Sequence, residues 1–449
     1  MIRRYIMKTF PRGIHPGDNK ENTNKKEIVT LAPPKELVFP MSQHIGAPAK
    51  PCVAVGDRVL MGQKIGEADG YMSANIHSSV SGTVKAIEKR VHPTGYLVKS
   101  IVIENDGLDE KADPIPGHSE DYESKTPEEL IDLIREAGIV GMGGATFPTH
   151  VKLSVPPEAK IDRIIINGSE CEPYLTSDHR EMLERPKKVI GGILVLMKIF
   201  GLNEGYIGVE NNKKDAIEVL KRECALIKDK KLHVVTLKTK YPQGSEKQLI
   251  YAVTGRKMPS GSLPWQVGCI VNNIDTCFSI YRAVTQGKPV TMRVVTLSGD
   301  AVKNPNNYRT RLGTPFSYLI EQSGGLIAEP GKVLMGGPMM GTAVSTFDVP
   351  VIKAASGITV LSEKLADLDE ESHCIRCSKC VYGCPMGLQP NLLDIASRKH
   401  DIDALNKLHI MDCIECGSCA YVCPSKRRQI QQIRIAKVKL REIAQRAKA

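Results

Sequence analysis

Eight of the thirteen cysteines fall in two short runs with the same spacing. Cys374-x2-Cys377-x2-Cys380-x3-Cys384-Pro385 recurs as Cys413-x2-Cys416-x2-Cys419-x3-Cys423-Pro424. Thiolates two residues apart converge on one face of a metal core from a single loop. The fourth, one helical turn on, points away, and the proline after it fixes the exit of the chain. Structural zinc sites use a different ligand spacing; this run is that of a [4Fe–4S] cubane. Two neighbouring cubanes pass electrons singly, so one-electron transfer is the chemistry of this end.

In two-cluster ferredoxins the fourth cysteine of each run ligates the other run's cluster. On that pattern Cys374, Cys377, Cys380 and Cys423 hold one cluster, and Cys413, Cys416, Cys419 and Cys384 the other. Residues 385–412 read as helical, which predicts an α-helical ferredoxin domain. Cys52, Cys171, Cys224, Cys269 and Cys277 lack cluster spacing and read as small apolar residues.

Three polar stretches lie upstream. Gly141-Met142-Gly143-Gly144-Ala145-Thr146-Phe147-Pro148 follows a helix and matches neither a Walker loop nor a dinucleotide fingerprint. Its glycines would let backbone amides approach an anion, with Lys152 adding charge, or would simply make a tight turn. The strand near Ile164–Ile166 ends in Asn167-Gly168-Ser169-Glu170-Cys171-Glu172-Pro173. Polar residues at a strand's carboxyl end are where α/β folds place ligands; the alternative is a solvated loop. Asn272-Asn273-Ile274-Asp275-Thr276 follows apolar Cys269–Val271, and its alternative is a turn with a helix cap.

These stretches need elements to position them. The 449 residues amount to about three domains, with 41% apolar residues and ample core material. Of the net charge of +11, the segment Lys426–Ala449 carries nine basic residues against Glu442 alone. The rest is nearly balanced, which argues against a nucleic-acid-coating protein. The longest apolar run, Val189–Met197, stops at Lys198, too short to span a bilayer. The N-terminus lacks the apolar core of a signal peptide, which predicts a cytosolic chain.

Residues 31–105 read as β-structure, with alternation over Val55–Gln63, Ile76–Val84 and Leu97–Ile103. A polar linker covers 106–125, and Thr126-Pro127-Glu128-Glu129 is a capping box. Strands at Ile164–Ile166 and Leu232–Leu237 alternate with helices at Pro186–Phe200 and Lys213–Ile227, an α/β layer pattern. Short strands return over 291–345. At the end, Ile433, Ala436, Leu440, Ile443 and Ala447 share a helical face flanked by Arg434, Lys437, Arg441 and Lys448. Such a helix lies on an anionic membrane or partner, or packs on its own domain.

Gly141–Pro148, Asn167–Pro173, Tyr241–Glu246 and Asn272–Thr276 occur in the order seen in the flavin-binding, NADH-oxidising subunit of respiratory complex I, which this stretch resembles. With Phe10–Pro16, Ser42–Pro48 and the two-cluster end, the whole chain resembles the RnfC family, part of the Rnf ion-translocating ferredoxin:NAD oxidoreductases. The resemblance implies a multidomain α/β fold. Its parts are a barrel-sandwich hybrid (1–105), an FMN- and NADH-binding α/β domain (126–290), a β-grasp, SLBB-like module (291–345) and a ferredoxin domain for two [4Fe–4S] clusters (363–449).

It further implies a non-covalent FMN held by Gly141, Gly143, Gly144 and Lys152 around its phosphate and ribityl chain. Asn167, Glu170, Asn272, Asn273 and Thr276 would line the rest, and NAD(H) would meet Phe147, Glu172 and Glu246. The chain departs from the complex I pattern at Met142, Val155, Ser169 and Ser245, where that pattern has Arg, Phe, Asp and Glu. The hairpin Asp69–Asn75 offers no lysine for a covalent cofactor, and His44 and His77 read as structural.

The implied activity is hydride exchange between NAD(H) and FMN and single-electron relay through the clusters, with no catalytic side chain of its own. The implied partners are integral membrane and other Rnf subunits, among them a ferredoxin-linked iron–sulfur subunit, and no nucleic acid. The implied location is peripheral, on the cytoplasmic face of the membrane. Two alternatives are a cobalamin reductase of a bacterial microcompartment and a flavin-free iron–sulfur adaptor.

Overall fold

The computed structural model describes residues 7–366 and 369–446. Ala447 and Lys448 of the expected amphipathic tail lie outside the described residues.

The first module pairs a four-stranded antiparallel sheet, in the order Glu36–Pro40, Leu97–Asn105, Gly82–Val91, Arg58–Val59, with a three-stranded one from Lys50–Pro51, Lys64–Glu67 and Ile76–His77. Leu37, Phe39, Val84, Ile101 and Ile103 pack in one core with Ile65 and Ile76. The alternating stretch 55–63 yields only Arg58–Val59 as strand, because Gly56 and Gly62 take positive φ (92° and 94°) and turn the chain on either side. His44 and His77 are buried, and burial lowers the pKa of each, as expected for neutral structural histidines.

The capping box forms as read. Thr126 Oγ1 accepts from Glu129 N at 3.3 Å, and the Glu129 carboxylate accepts from Thr126 N at 2.7 Å. It launches the helix Pro127–Glu136, which stops at Gly138 (φ 64°). A Cβ there would lie 2.2 Å from Asn75 O of the barrel, so only glycine lets the two modules meet.

The α/β domain is a four-stranded parallel sheet ordered Lys231–Leu237, Glu204–Glu210, Arg163–Gly168, Cys269–Asn273. Both faces are covered, which is why these strands read as apolar runs. Ile164 and Ile166 join the core with Val189, Ile193 and Ile280, while Ile165 joins Leu249, Ile250 and Val271 on the other face. The register pairs Asn273 with Asn167, so two of the three polar stretches meet at the carboxyl ends of adjacent strands.

A six-stranded sheet follows, ordered Val29–Thr30, Asn306–Arg311, Met292–Ser298, Gly357–Ser362, Pro330–Met335, Thr342–Ala343. It draws in strands from outside 291–345: the wholly buried Gly357–Ser362 sits centrally, and Val29–Thr30 closes an edge. Residues 7–28 run as a strap over the α/β domain, with Ile14 and Tyr241 exchanging backbone hydrogen bonds at 2.9 Å.

The C-terminal domain is helical, including Pro390–Lys399, Ile402–Lys407 and Gln429–Arg446. The tail helix packs Ile433 and Ala436 on Leu393, Ala396, Leu405 and Ile410, and Leu440 packs against the same core. Ile443 remains exposed. The first half of the tail's predicted apolar stripe, Ile433 and Ala436 with Leu440, therefore packs on its own domain.

Candidate flavin and iron–sulfur sites

Two cavities open in the helical domain. Cys384 lines one together with Cys413, Cys416 and Cys419. Cys423 lines the other with Cys374, Cys377 and Cys380. The crossed grouping expected from the cysteine spacing is thus present in the packing. Both loops hold left-handed backbone at matching places: Arg376 (56°) and Ser378 (62°), Glu415 (58°) and Gly417 (75°).

Burial raises Cys380, Cys413, Cys416 and Cys419, and neighbouring cysteines raise them further. Cys419 is pushed well above the ordinary thiol value by burial and then by Cys416, Cys413 and Cys384. Burial pushes Cys413 up to about 11. Four sulfurs crowded in an apolar cavity ionise only if a cationic core compensates them, and all-thiolate donor sets suit iron–sulfur clusters. Among the described residues no three His, Cys, Asp or Glu side chains close on a single-ion site. A cubane holds its thiolates wider apart, around an open core such as these cavities provide.

The glycine loop stands beside the strand ends. Met142 N donates to Thr276 Oγ1 at 3.0 Å, Gly141 N to Phe147 O at 2.9 Å, and Arg293 Nη2 to Met142 O at 3.0 Å. Arg293 also pairs with Asp275 at 3.0 Å. Gly143, Gly144 and Ala145 form the exposed tip. Asn273 caps the helix Ile274–Gln286, accepting from Asp275 N, while its Nδ2 donates to Asp178 Oδ2 at 2.6 Å. A Cβ on Gly143 would lie 2.5 Å from that Nδ2. Gly143→Ala is therefore expected to displace Asn273 and weaken FMN binding about tenfold or more, read by quenching of flavin fluorescence, since overpacking costs ~1–3 kcal/mol.

Two buried donors at the strand ends, Asn272 Nδ2 and the Ser169 hydroxyl, have no partner. A buried polar group without a partner is rare, and a polar ligand such as an isoalloxazine fits that requirement. Asn167 Nδ2 donates to Gly244 O at 2.7 Å, joining two of the loops. Lys152 Nζ is already held, 3.0 Å from Glu246 Oε1 and 2.9 Å from Val271 O.

Two carboxylates stand apart from this wall. Glu170 (φ 45°) turns its oxygens onto the N-terminus of the helix Ser177–Glu184, accepting from Asp178 N at 2.7 Å and His179 N at 3.3 Å. Glu172 accepts from Met340 N at 2.6 Å and Met339 N at 3.2 Å, tying the strand end to the turn 336–341. Both are half-buried structural acceptors in this arrangement, because the chain folds back over them. Phe147 is half-buried.

Burial pushes the Glu172 carboxyl up to about 7. The folded chain therefore binds a proton there that the unfolded chain, with an ordinary carboxyl near 4.5, has lost, and stability falls as pH rises from about 4.5 to 7. Glu172→Gln is expected to flatten that part of the melting-temperature profile, checked by thermal melts between pH 5 and 8.

Sequence reasoning missed four contributors. Lys20, from the strap, donates to the carbonyls of Glu170 (2.8 Å), Glu172 (2.9 Å) and Leu175. Lys213 donates to Ser169 O at 2.7 Å and pairs with Glu210 at 3.5 Å. Asp178 holds Asn273, and the buried Tyr241 donates its hydroxyl to Cys416 O at 2.8 Å. No periodicity marks such residues; their partners lie far away in sequence. Tyr241, Ile14 and Cys416 pack with Cys171, Met339 and Ile414. The second cysteine set therefore abuts the α/β domain, while Cys377 of the first is exposed.

Four family descriptions match in order: RnfC barrel sandwich hybrid domain (8–108), Nuo51 FMN-binding domain (134–282), SLBB domain (294–343) and 4Fe-4S dicluster domain (373–427). The chain is 47% identical to a subunit of the proton-translocating ferredoxin:NAD(+) oxidoreductase complex of Clostridium ljungdahlii, covering 99% of this chain and 96% of that one. It is 48% identical to the equivalent subunit of the Na(+)-translocating complex of Acetobacterium woodii (98% of each). It is 41% identical to that of the ion-translocating oxidoreductase complex of Rhodobacter capsulatus (89% and 77%). Among solved structures, an NAD+-reducing [NiFe]-hydrogenase in the H2-reduced state matches with a TM-score of 0.50 at 15% identity, over 70% of this chain and 62% of that one, a likeness of fold.

Proposed function

The chain belongs to the RnfC family of ion-translocating ferredoxin:NAD oxidoreductase complexes, and on that premise we propose that it is the NAD(H)-reacting subunit of such a complex. The observation that carries this reading is one continuous packing arrangement. A strand-end site with unpartnered buried donors is joined through Tyr241 to a loop of cluster-ligating cysteines. FMN, when bound, exchanges hydride with NAD(H) on one side and single electrons with the clusters on the other.

The chain's own residues position these groups. Gly141, Gly143 and Gly144 let backbone approach the flavin phosphate, and Asn167, Asn272, Asn273 and Thr276 line the flavin wall. Lys152 and Glu246 stand as a pair at its edge. Cys384, Cys413, Cys416 and Cys419 hold the cluster nearer the flavin domain, and Cys374, Cys377, Cys380 and Cys423 the outer one. No helix among the described residues is long and apolar enough to cross a membrane. The reading therefore places ion movement in membrane-embedded partner subunits and this chain peripherally, on the cytoplasmic face.

The cobalamin reductase alternative is not favoured, because similarity to the RnfC relatives runs through the N-terminal barrel to the tail. The flavin-free adaptor is disfavoured by the match to an FMN-binding domain. An anaerobic NADH titration of the holoprotein tests the proposal. The expected result is flavin bleaching followed by cluster EPR signals; a chain without flavin, or with flavin and clusters indifferent to NADH, overturns it.

A further inference from the structure

We propose that the exposed face of the first cysteine loop, built on Ile375, Arg376 and Lys379 with Tyr382, is a docking surface for an acidic redox domain. It would be the counterpart of the face with which the second loop grips the flavin domain. The inference rests on the electron-relay reading above.

The two cysteine runs are an internal repeat. Each residue of the first run has its equivalent 39 positions on, and both loops hold left-handed backbone at equivalent residues. Equivalent side chains therefore occupy equivalent places around their own cavities. In the second loop that face is covered. Ile414 packs with Ile14, Tyr241 and Met339; Cys416 O accepts the Tyr241 hydroxyl; and Asp412 accepts the Ser260 hydroxyl at 2.6 Å. In the first loop the same positions are bare. Ile375 is 67% exposed, and Cys377 is exposed where Cys416 is buried; Tyr382 and its equivalent Tyr421 are both exposed, at 74% and 54%.

The two copies differ in charge, the first being the more basic; Glu415 of the second is itself paired with Lys437 and Arg434 of the tail helix. Asp412 and Glu415 of the covered loop correspond to His373 and Arg376, and Ser418 corresponds to Lys379. Two neighbouring carboxylates are engaged elsewhere, Asp369 with Lys426 and Glu371 with Arg398, while Glu370 is exposed and in no ion pair among the described residues. The bare face thus combines an apolar centre, an aromatic residue and cations, Arg376 and Lys379, that form no ion pair among the described residues, beside an exposed cysteine of the first set. Interfaces favour an aromatic and arginine-rich core, and charge complementarity steers the encounter. The fitting occupant is a protein domain with carboxylates around the edge of its own redox centre.

The test uses the full-length holoprotein and, as probe, a chemically reduced acidic two-cluster bacterial ferredoxin, with flavin reduction followed by stopped flow. The expected wild-type rate falls as salt rises. Arg376→Glu and Ile375→Glu are expected to slow it tenfold or more, and Arg376→Glu also to flatten or reverse the salt dependence. Iron content and NADH bleaching of the flavin should hold. A wild-type rate insensitive to salt, or an Arg376→Glu rate equal to wild type, overturns the proposal. Should Ile375→Glu lose iron, Arg376→Gln decides alone. Failure of NADH to bleach the flavin would defeat the relay reading instead, so the two failures are distinguishable.

Discussion

Cys384→Ser is expected to empty the second cluster site, not the first, and to halve the iron and acid-labile sulfide bound per chain. Cys384 belongs in sequence to the first run, yet it lines the cavity of Cys413, Cys416 and Cys419. The remaining cluster should keep its EPR signal, and NADH should still bleach the flavin. Because the second set is the one packed on Tyr241 and the flavin domain, NADH-driven reduction of the surviving outer cluster should slow at least a hundredfold. Cys423→Ser should remove the outer cluster and leave NADH reduction of the inner one intact. If Cys384→Ser instead spared the second cluster and emptied the first, the crossed assignment would be wrong.

Lys213→Met should destabilise the α/β domain by about 3–5 kcal/mol, the usual consequence of leaving a buried charge without its partner. The ammonium is 1% exposed; it faces Glu210, itself 2% exposed, and holds Ser169 O. Its loss strands that carboxylate beneath the loop that ends the strand Arg163–Gly168. Flavin affinity should fall with stability, because the carbonyl it anchors belongs to the strand-end wall. Thermal melting and flavin titration check both effects. The double variant Lys213→Met, Glu210→Leu should recover most of the stability while leaving the flavin affinity low, since the Ser169 carbonyl still lacks its donor. Recovery of both would show that the charge, not the anchor, matters to the site.

Local chemistry was legible wherever ligands, caps or turns lie within a few residues. The helix cap at Thr126 forms as the sequence predicts, as do the strand at Arg163–Gly168 and the helical linker between the cysteine runs. Met142 of the glycine loop meets Thr276, and Gly143 lies against Asn273. Glu170 and Glu172 mark where that inference stops. Both sit in a polar strand-end loop and read as ligand contacts, but the fold turns one onto a helix N-terminus and the other onto the turn at Met339–Met340. A carboxylate's role depends on which backbone amides reach it first, and those amides lie eight residues away in one case and 168 in the other.

From the sequence alone came the number and type of clusters, the order of the modules and the expectation of crossed cysteine sets, because thiolate spacing and chain periodicity are short-range properties. Only the tertiary structure decided that Gly357–Ser362 completes a sheet begun far upstream and that the strap delivers Lys20 beneath the strand ends. It also decided that the second cysteine loop packs on Ile14 and Tyr241, while the first run meets the α/β domain at its Pro385 end, through Gln248. Each of these is a contact between distant parts of the chain or a choice between two equal copies. Such choices are made by burial and hydrogen-bond satisfaction over the whole fold, and no local pattern encodes them.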